Sequence, residues 1–171
     1  EIAQCLVGSE MCIRDRSKVD QDRDRGFMER MKALVPSMVM LDVQYVENDP
    51  VLTENVTKTL IQANPDLIGI FADNDMTGVG ISKGIAAAGA AGKVMGYAFD
   101  ANDVEIQAVK DGVLTGMVVQ DPFGIGYKSA MFAVDALENR QVPKAVDTGA
   151  TIVTKANIDD PKVHKLLYPN Q

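Results

Sequence analysis

The 171-residue sequence has no tryptophan, one histidine and two cysteines. Its single histidine, His164, lies near the C-terminal end, so catalysis by paired histidines and histidine-rich metal sites are not expected. Cys5 and Cys12 both fall within the first sixteen residues, which gives no support to a disulfide framework or a catalytic thiol. No apolar run reaches the length of a membrane-spanning helix, and we expect no stable membrane insertion.

Basic residues are also few relative to acidic ones. The formal net charge is −7, from 24 acidic and 17 basic residues. This balance disfavours a large nucleic-acid contact surface, because phosphate backbones attract basic patches. The apolar fraction of 46% is sufficient for one core in a domain of this length. Composition therefore indicates an acidic globular protein with no nucleic-acid partner.

The first sixteen residues, EIAQCLVGSEMCIRDR, follow neither the period of a strand nor that of a helix. They also lack the long apolar centre of a signal peptide. The part from Cys5 to Arg16 resembles a translated sequencing adapter; the alternative is an ordinary, poorly ordered N-terminus. We interpret residues 1–16 as an artefact or a disordered segment. On the artefact interpretation, the natural protein begins further upstream and this sequence is its C-terminal fragment.

From residue 17 onward, helical and strand patterns alternate. The short, apolar run Leu67–Ala72 is typical of a strand covered on both faces. Asp49-Pro50 and Asp121-Pro122 are typical helix starts, with Asp as the cap and Pro in the first turn. Strands are predicted over 37–46, 67–72, 93–99, 114–120 and 146–154, and helices over 17–35, 50–63, 75–88, 102–110, 122–140 and 159–167. This alternation predicts an α/β fold, a parallel sheet with helices on both faces.

Polar side chains follow four of the predicted strands at the point where each strand ends. These residues are Glu47 and Asn48, Asp73 and Asn74, Asp100 after Phe99, and Gln120 and Asp121. Because right-handed crossovers bring the carboxyl ends of parallel strands to one edge of the sheet, we expect these residues to share that edge. The edge offers carboxylates, amides and one aromatic ring but no pair of nucleophile and base, so it predicts binding rather than catalysis.

Neutral sugars and polyols are bound by planar groups that bridge adjacent hydroxyls, with aromatic rings against the C–H faces. Asn74, Asp100 and Gln120 supply such groups at equivalent strand ends, and Phe99 supplies the ring. The alternative is that each polar residue only caps a helix or completes a turn. We favour ligand contact for the three amide and carboxylate residues, and capping for Asp75.

Three glycines in the helix after Asn74 superficially resemble a dinucleotide-binding fingerprint. The spacing of Gly78, Gly80 and Gly84 is one residue too long for that fingerprint, and the glycines fall inside the predicted helix. The phosphate-binding pattern GxxxxGK[ST] is absent from the sequence. We therefore predict that these glycines allow close helix packing.

Several short sequence motifs, taken together, resemble those of one protein family. They are RDRGF at 23–27, FADND at 71–75, GYAFD at 96–100, AVKDG at 108–112, and VQDP at 119–122 followed by GIG at 124–126. From about Val19 to Leu167, the sequence resembles the periplasmic sugar-binding proteins of ABC transporters, of the ribose-binding-like type 1 class. The resemblance implies a Rossmann-like, three-layer lobe of a two-lobed protein, which is incomplete in this sequence.

The resemblance also implies which residues bind the ligand. It assigns hydroxyl contacts to Arg23, Asn74, Asp100 and Gln120, and it implies no cofactor and no metal. Relatives often carry a stacking aromatic near the position of Asn48. The polar residue there favours a smaller or more polar polyol.

By this resemblance, residues 17–121 are the C-terminal ligand-binding lobe. Residues 122–171 supply a helix, a crossing segment and a tail that complete a missing N-terminal lobe, and the first strand of the C-terminal lobe is also expected to be missing. The implied function is the substrate-binding component of a sugar ABC transporter. It is periplasmic, monomeric when full length and not an enzyme, and it delivers a monosaccharide or polyol to a membrane permease.

Three alternatives remain open. The first is the effector-binding domain of a LacI-type repressor, which resembles the same fold but is preceded by a DNA-binding helix pair. The second is a small α/β enzyme, which needs a nucleophile, a base or a metal at the strand ends. The third is an autoinducer or polyol receptor, which differs from the transport protein only in its ligand.

Overall fold

The computed structural model describes residues 5–10 and 18–168. The elements in chain order are β1 (Cys5–Glu10), α1 (Lys18–Leu34), β2 (Val39–Met40), β3 (Gln44–Tyr45), α2 (Pro50–Ala63), β4 (Leu67–Ala72), α3 (Asp75–Ala87), β5 (Met95–Phe99), α4 (Asp103–Asp111), β6 (Gly116–Gln120), α5 (Pro122–Leu137), β7 (Ala150–Thr154) and α6 (Pro161–Leu167). Ser17, the predicted cap of the first helix, lies outside the described residues, and α1 is described from Lys18.

The strands form one sheet in the order β2-β1-β4-β5-β6-β7, and β3 also pairs with β1. All pairs are parallel except β6 with β7, which is antiparallel. Tyr97 of β5 lies opposite Phe71 near the end of β4 and opposite Gly116 at the start of β6, so the carboxyl ends of these strands share one edge in a stagger, and β6 extends furthest. The predicted α/β fold with a mainly parallel sheet flanked by helices is confirmed.

The strand β1 is where the structure departs most from the sequence analysis. Its backbone pairs in parallel with β4 from Leu6 opposite Gly69 to Ser9 opposite Ala72. The sheet therefore has a strand before α1, where the sequence predicted none. Hydrogen bonding between strands uses backbone groups that every sequence carries, which explains why a segment without a strand pattern can occupy this place. That residues 1–16 are an artefact stays a prediction, and residues 1–4 and 11–17 lie outside the described residues.

The region after α1 also differs from the prediction. The single strand predicted over 37–46 is two short strands, β2 and β3, which pair with different parts of β1. The helix start at Asp49 is confirmed, because its carboxylate accepts hydrogen bonds from the Val51 and Leu52 amides at 2.7 and 3.1 Å. At the C-terminal end of α2, the Asn64 amide bonds to the Leu60 carbonyl and the helix stops, as predicted.

The last two elements pack on the same sheet and core as β6. β7 pairs along the whole of β6, and the buried core includes Val153, Ile158, Val163 and Leu167. The predicted lobe boundary at residue 121 stays a prediction, although β7 and α6 pack on the sheet and core that hold β6. The helix α5 differs, since it has no buried residue and exposes 71% of Phe123 and 83% of Leu137. Its assignment to a second lobe stays a prediction.

Close packing joins α2 to α3 beneath the strand ends. A β-carbon at position 80 would lie 2.2 Å from the Thr53 β-carbon, and one at position 84 would lie 2.5 Å from that of Thr57. Both threonines are fully buried. The predicted packing role of Gly80 and Gly84 is confirmed, because only a residue without a side chain permits this approach. None of the described helices is long and apolar enough to cross a membrane.

We expect Gly80→Ala to lower the free energy of unfolding by about 1–3 kcal/mol, because the added methyl group overpacks the contact with Thr53. Gly26→Ala is the matched control, since a β-carbon there meets nothing within 4 Å. We expect this control to raise stability by up to about 1 kcal/mol, as alanine is the better helix former. Urea denaturation of the full-length protein measures both; a Gly80→Ala variant as stable as the wild type contradicts the packing argument.

Candidate functional site

The candidate site lies at the carboxyl ends of β4, β5 and β6, where α1 covers the end of β4. Phe27 of α1 stacks on Phe71 of β4, with ring centroids 4.5 Å apart and planes 7° from parallel. This contact places the preceding turn of α1, which carries Arg23, over the strand ends. Only the family resemblance predicts Arg23 as a site residue. The charged run around it is otherwise typical of a solvent-exposed helix face.

The Arg23 guanidinium is fixed from three directions. Its Nη1 donates to the Asp73 carbonyl at 2.8 Å and lies 3.3 Å from the Asp20 carboxylate. Its Cζ lies 3.6 Å from the centroid of the Phe99 ring, which is a cation–π contact. Phe99 therefore holds Arg23 on one face of its ring. Direct contact of Phe99 with a ligand stays a prediction.

Asn74 is the N-cap of α3. Its Oδ1 accepts from the Met76 and Thr77 amides at 3.0 and 3.2 Å, and its Nδ2 donates to Asp73 Oδ1 at 3.2 Å. The capping role favoured for Asp75 thus belongs to Asn74, and Asp75 is the first residue of the helix. Asn74 is only 8% exposed, and its second amide hydrogen is the group that could reach a ligand.

Asp100 and Gln120 are joined across the ends of β5 and β6. Gln120 Nε2 donates to Asp100 Oδ1 at 2.6 Å. The Asp100 backbone is left-handed, with φ of 72°, and its amide donates to the Val118 carbonyl at 2.9 Å. The bond between Gln120 and Asp100 occupies one carboxylate oxygen and one side-chain amide hydrogen. Each of these two side chains therefore keeps a further polar group for ligand hydroxyls.

A cavity of about 430 Å³ opens beside this pair of side chains. Asp75, Asp100 and Gln120 line its polar side, and Ile125 and Leu166 belong to its apolar side. A volume of this size is within the usual range for small-molecule sites. Its mixed lining fits a ligand with hydroxyl groups and C–H faces.

The six predicted site residues fall into groups. Arg23 and Phe99 are in contact, and so are Asp100 and Gln120, while Asn74 joins the first group through Asp73. Asn48 stands apart: it is exposed, and no contact links it to the other five within the described part of the chain. It occupies a left-handed turn with φ of 59°, a conformation that asparagine tolerates better than most residues. The ligand-binding role of all six residues stays a prediction.

Asp73 is a residue that the sequence analysis placed at the edge but gave no role. It is fully buried, and Oδ1 accepts from Thr77 Oγ1 at 3.1 Å. Burial, and next the Asp20 carboxylate, raise the pKa of Asp73 to about 7, although Arg23 opposes this. In the sequence, only the position of Asp73 directly after β4 indicates a role in the site, because the burial of its side chain depends on α1 and α3.

The raised pKa of Asp73 predicts that folding stability falls as pH rises. The folded state favours the neutral carboxyl, so this contribution is complete below the ordinary pKa of 3.8 and lost as pH passes through about 7. The free energy of unfolding is expected to fall between pH 3.8 and about pH 7. We expect Asp73→Asn to reduce this fall by up to about 4 kcal/mol. Asp42→Asn, which removes a carboxylate from an exposed position, is the control. Identical pH profiles for Asp73→Asn and wild type in urea denaturation contradict the assignment.

A metal at this edge has no support in the structure. Within residues 5–10 and 18–168, no group of three or more histidine, cysteine, aspartate or glutamate residues is placed to hold a metal ion. The Asp100 carboxylate instead accepts from Gln120, and the Asn74 and Asp121 side chains accept from backbone amides. The arrangement can supply hydrogen bonds to a neutral ligand.

Comparison with known proteins identifies related sequences. A family model described as "Periplasmic binding protein domain" matches residues 14–141. The ribose import binding protein RbsB of Salmonella typhimurium is 30% identical over 135 residues, which cover 79% of this chain and 45% of that protein. The D-allose-binding periplasmic protein of Escherichia coli is 30% identical over 94 residues, which cover 55% of this chain and 30% of that protein. The chain thus spans less than half the length of these relatives.

Solved structures show the same fold. A carbohydrate transporter solute-binding protein from Agrobacterium radiobacter, in complex with D-arabinose, superposes with a TM-score of 0.88 and 32% identity, over 96% of this chain and 55% of that one. An ABC transporter solute-binding protein from Agrobacterium vitis, bound with α-D-tagatopyranose, gives a TM-score of 0.86 and 31% identity, over 95% and 54%. These similar proteins are solute-binding proteins, not enzymes.

Proposed function

This chain belongs to the family of periplasmic binding protein domains, and we propose that it is part of the substrate-binding component of a sugar ABC transporter. The protein binds a monosaccharide or related polyol and delivers it to a membrane permease. The observation that carries this proposal is the Asp100–Gln120 pair, joined at 2.6 Å across adjacent strand ends beside a cavity of about 430 Å³. Relatives described as binding ribose, allose, arabinose or tagatose support a monosaccharide ligand.

The chemistry of the strand ends suits a polyhydroxylated ligand. The Asp100 carboxylate accepts from hydroxyl donors, and the Gln120 amide oxygen can accept from a neighbouring hydroxyl. Arg23 supplies a guanidinium fork whose direction is set by Asp73 and Phe99. A ligand bound here exchanges water for several hydrogen bonds of fixed geometry. No bond is made or broken, so the protein is a binder rather than an enzyme.

The ligand site has its second wall in another lobe. The exposure of α5, which has no buried residue, supports a packing partner outside this lobe. We place the ligand in the cleft between the two lobes, which close over it by a hinge motion. The ligand favours the closed form only by its greater affinity for that form. The full-length protein acts as a periplasmic monomer without a cofactor.

A LacI-type effector-binding domain is the second candidate function. It would use the same strand ends, but the relatives reported above are described as import or transporter binding proteins, which favours transport. The upstream coding sequence separates the two: a signal peptide supports transport, and a DNA-binding helix pair supports a repressor.

We expect Asp100→Ala in the full-length protein to weaken sugar binding by about 2–4 kcal/mol, because hydroxyl donors of the ligand lose a charged acceptor. Isothermal titration calorimetry measures the change. Asp159→Ala, at an exposed position away from the strand ends, is the matched control and should keep wild-type affinity. Wild-type affinity in Asp100→Ala would remove this residue from the site.

The ligand class itself is tested by a thermal-shift screen of pentoses, hexoses and polyols on the full-length protein. We expect at least one of them to raise the melting temperature, since a ligand that binds only the folded state stabilises it. A smaller polyol giving the largest shift would agree with the polar Asn48. No shift with any member of the screen would contradict a sugar-binding function.

A further inference from the structure

Glu105 is a fully buried carboxylic acid in the first turn of α4. Its Oε2 accepts a hydrogen bond from the backbone N–H of Asn102 at 3.0 Å, and its Oε1 has no hydrogen-bond partner among the described residues. A β-carbon at position 78 would lie only 1.7 Å from Oε1. The carboxyl group therefore fills a notch that exists because Gly78 has no side chain.

The contacts of Glu105 lie directly behind the turn that carries Asp100. Asn102 Oδ1 accepts from the Val104 and Glu105 amides, each at 3.0 Å, and Nδ2 lies 3.5 Å from the Asp75 carbonyl. The turn of residues 100–102 is thus held between the first turns of α3 and α4. These contacts support a backbone conformation at Asp100, with φ of 72°, that is uncommon for a non-glycine residue.

We propose that Glu105 is a positioning residue for the Asp100 carboxylate. By accepting the Asn102 amide and filling the Gly78 notch, it fixes the turn of residues 100–102 and so the direction in which Asp100 meets a ligand. That Asp100 contacts a sugar rests on the proposed function. That Glu105 fixes the turn of residues 100–102 rests on the contacts alone.

The charge state of Glu105 gives this role a pH dependence. The carboxylates that act on it are Asp75 from α3 and Asp100 from the end of β5, and the notch at Gly78 is also bordered by the Ala98 β-carbon of β5. Burial, with smaller contributions from the two aspartates, raises the pKa of Glu105 to about 8. The neutral acid is therefore the working form at pH 7. Ionisation above about pH 8 strengthens acceptance from the Asn102 backbone N–H but adds a negative charge that repels the Asp75 and Asp100 carboxylates, and this repulsion shifts the Asp100 side chain.

Three variants separate positioning from simple helix capping. Glu105→Gln keeps an acceptor for the Asn102 amide but cannot ionise. Glu105→Ala removes both the acceptor and the filling of the notch, and Gly78→Ala should displace the carboxyl group without altering it. Asp103→Asn is the matched control, since it removes an exposed carboxylate from the same turn of α4.

The first measurement needs no sugar. In the full-length protein, hydrogen exchange of the Asn102 amide and the carboxyl ¹³C shift of Asp100 are followed from about pH 6 to pH 9. We expect Glu105→Ala and Gly78→Ala to speed Asn102 exchange by about tenfold and to move the Asp100 shift. Glu105→Gln and Asp103→Asn should resemble the wild type at pH 7. Unchanged exchange and an unchanged Asp100 shift in both alanine variants would overturn the proposal.

The second measurement is sugar affinity by calorimetry, with the best ligand of the thermal-shift screen. We expect wild-type affinity to fall about fivefold to tenfold between pH 7 and pH 9, and that of Glu105→Gln to fall less than about twofold. Parallel pH profiles for these two proteins would overturn the positioning role in binding. If no sugar binds, the proposed function fails, and the exchange measurement alone decides whether Glu105 positions the turn. If an alanine variant does not fold, the comparison of Glu105→Gln with the wild type decides.

Discussion

The parallel pairing of β4, β5 and β6 is the constraint on which the candidate site depends. Because β4, β5 and β6 pair in parallel, their carboxyl ends lie at one edge of the sheet in a stagger, with β6 running on from Val118, opposite Phe99, to Gln120. Each strand then turns into a helix whose first amides need acceptors, and the polar residues at the edge satisfy them. These caps are Asn74, Asn102 and Asp121, and the predicted ligand contacts Asp100 and Gln120 lie within two residues of the last two.

Buried acidic groups are the second feature of this edge. Asp73 and Glu105 are both fully buried, and each has one carboxylate oxygen without a hydrogen-bond partner in the described part of the chain. Desolvation is the largest cause of the raised pKa of both, about 7 for Asp73 and about 8 for Glu105, so near pH 7 Glu105 is largely neutral and Asp73 is partly ionised. The other oxygen of each accepts hydrogen bonds near the start of a helix, Asp73 from Thr77 and Glu105 from Asn102. At pH 7, Glu105 thus contributes mainly as a hydrogen-bonding group rather than as a charge.

The sequence was sufficient where the signal is local. The apolar run of β4 and the cap at Asp49 are set by neighbouring residues, and both were predicted within a residue or two. Long-range pairing was not accessible in the same way: β1 lacks a strand pattern, and β7 joins β6 across the whole of α5. At the site, the strand-end positions were predicted, but the roles of Asp73 and Glu105 were not. Their burial depends on Arg23 and Gly78, which are distant in sequence.

The left-handed backbone of Asp100 limits how this family member can change during evolution. Only glycine, asparagine and aspartate adopt such a conformation at low cost, and of these only aspartate offers a full negative charge to a ligand. Mutation at this corner therefore has few viable outcomes, whatever ligand is selected for. Adaptation to a different ligand must come from positions with ordinary backbone angles, such as Gln120, or from the exposed turn at Asn48, while the aspartate stays as a fixed reference point.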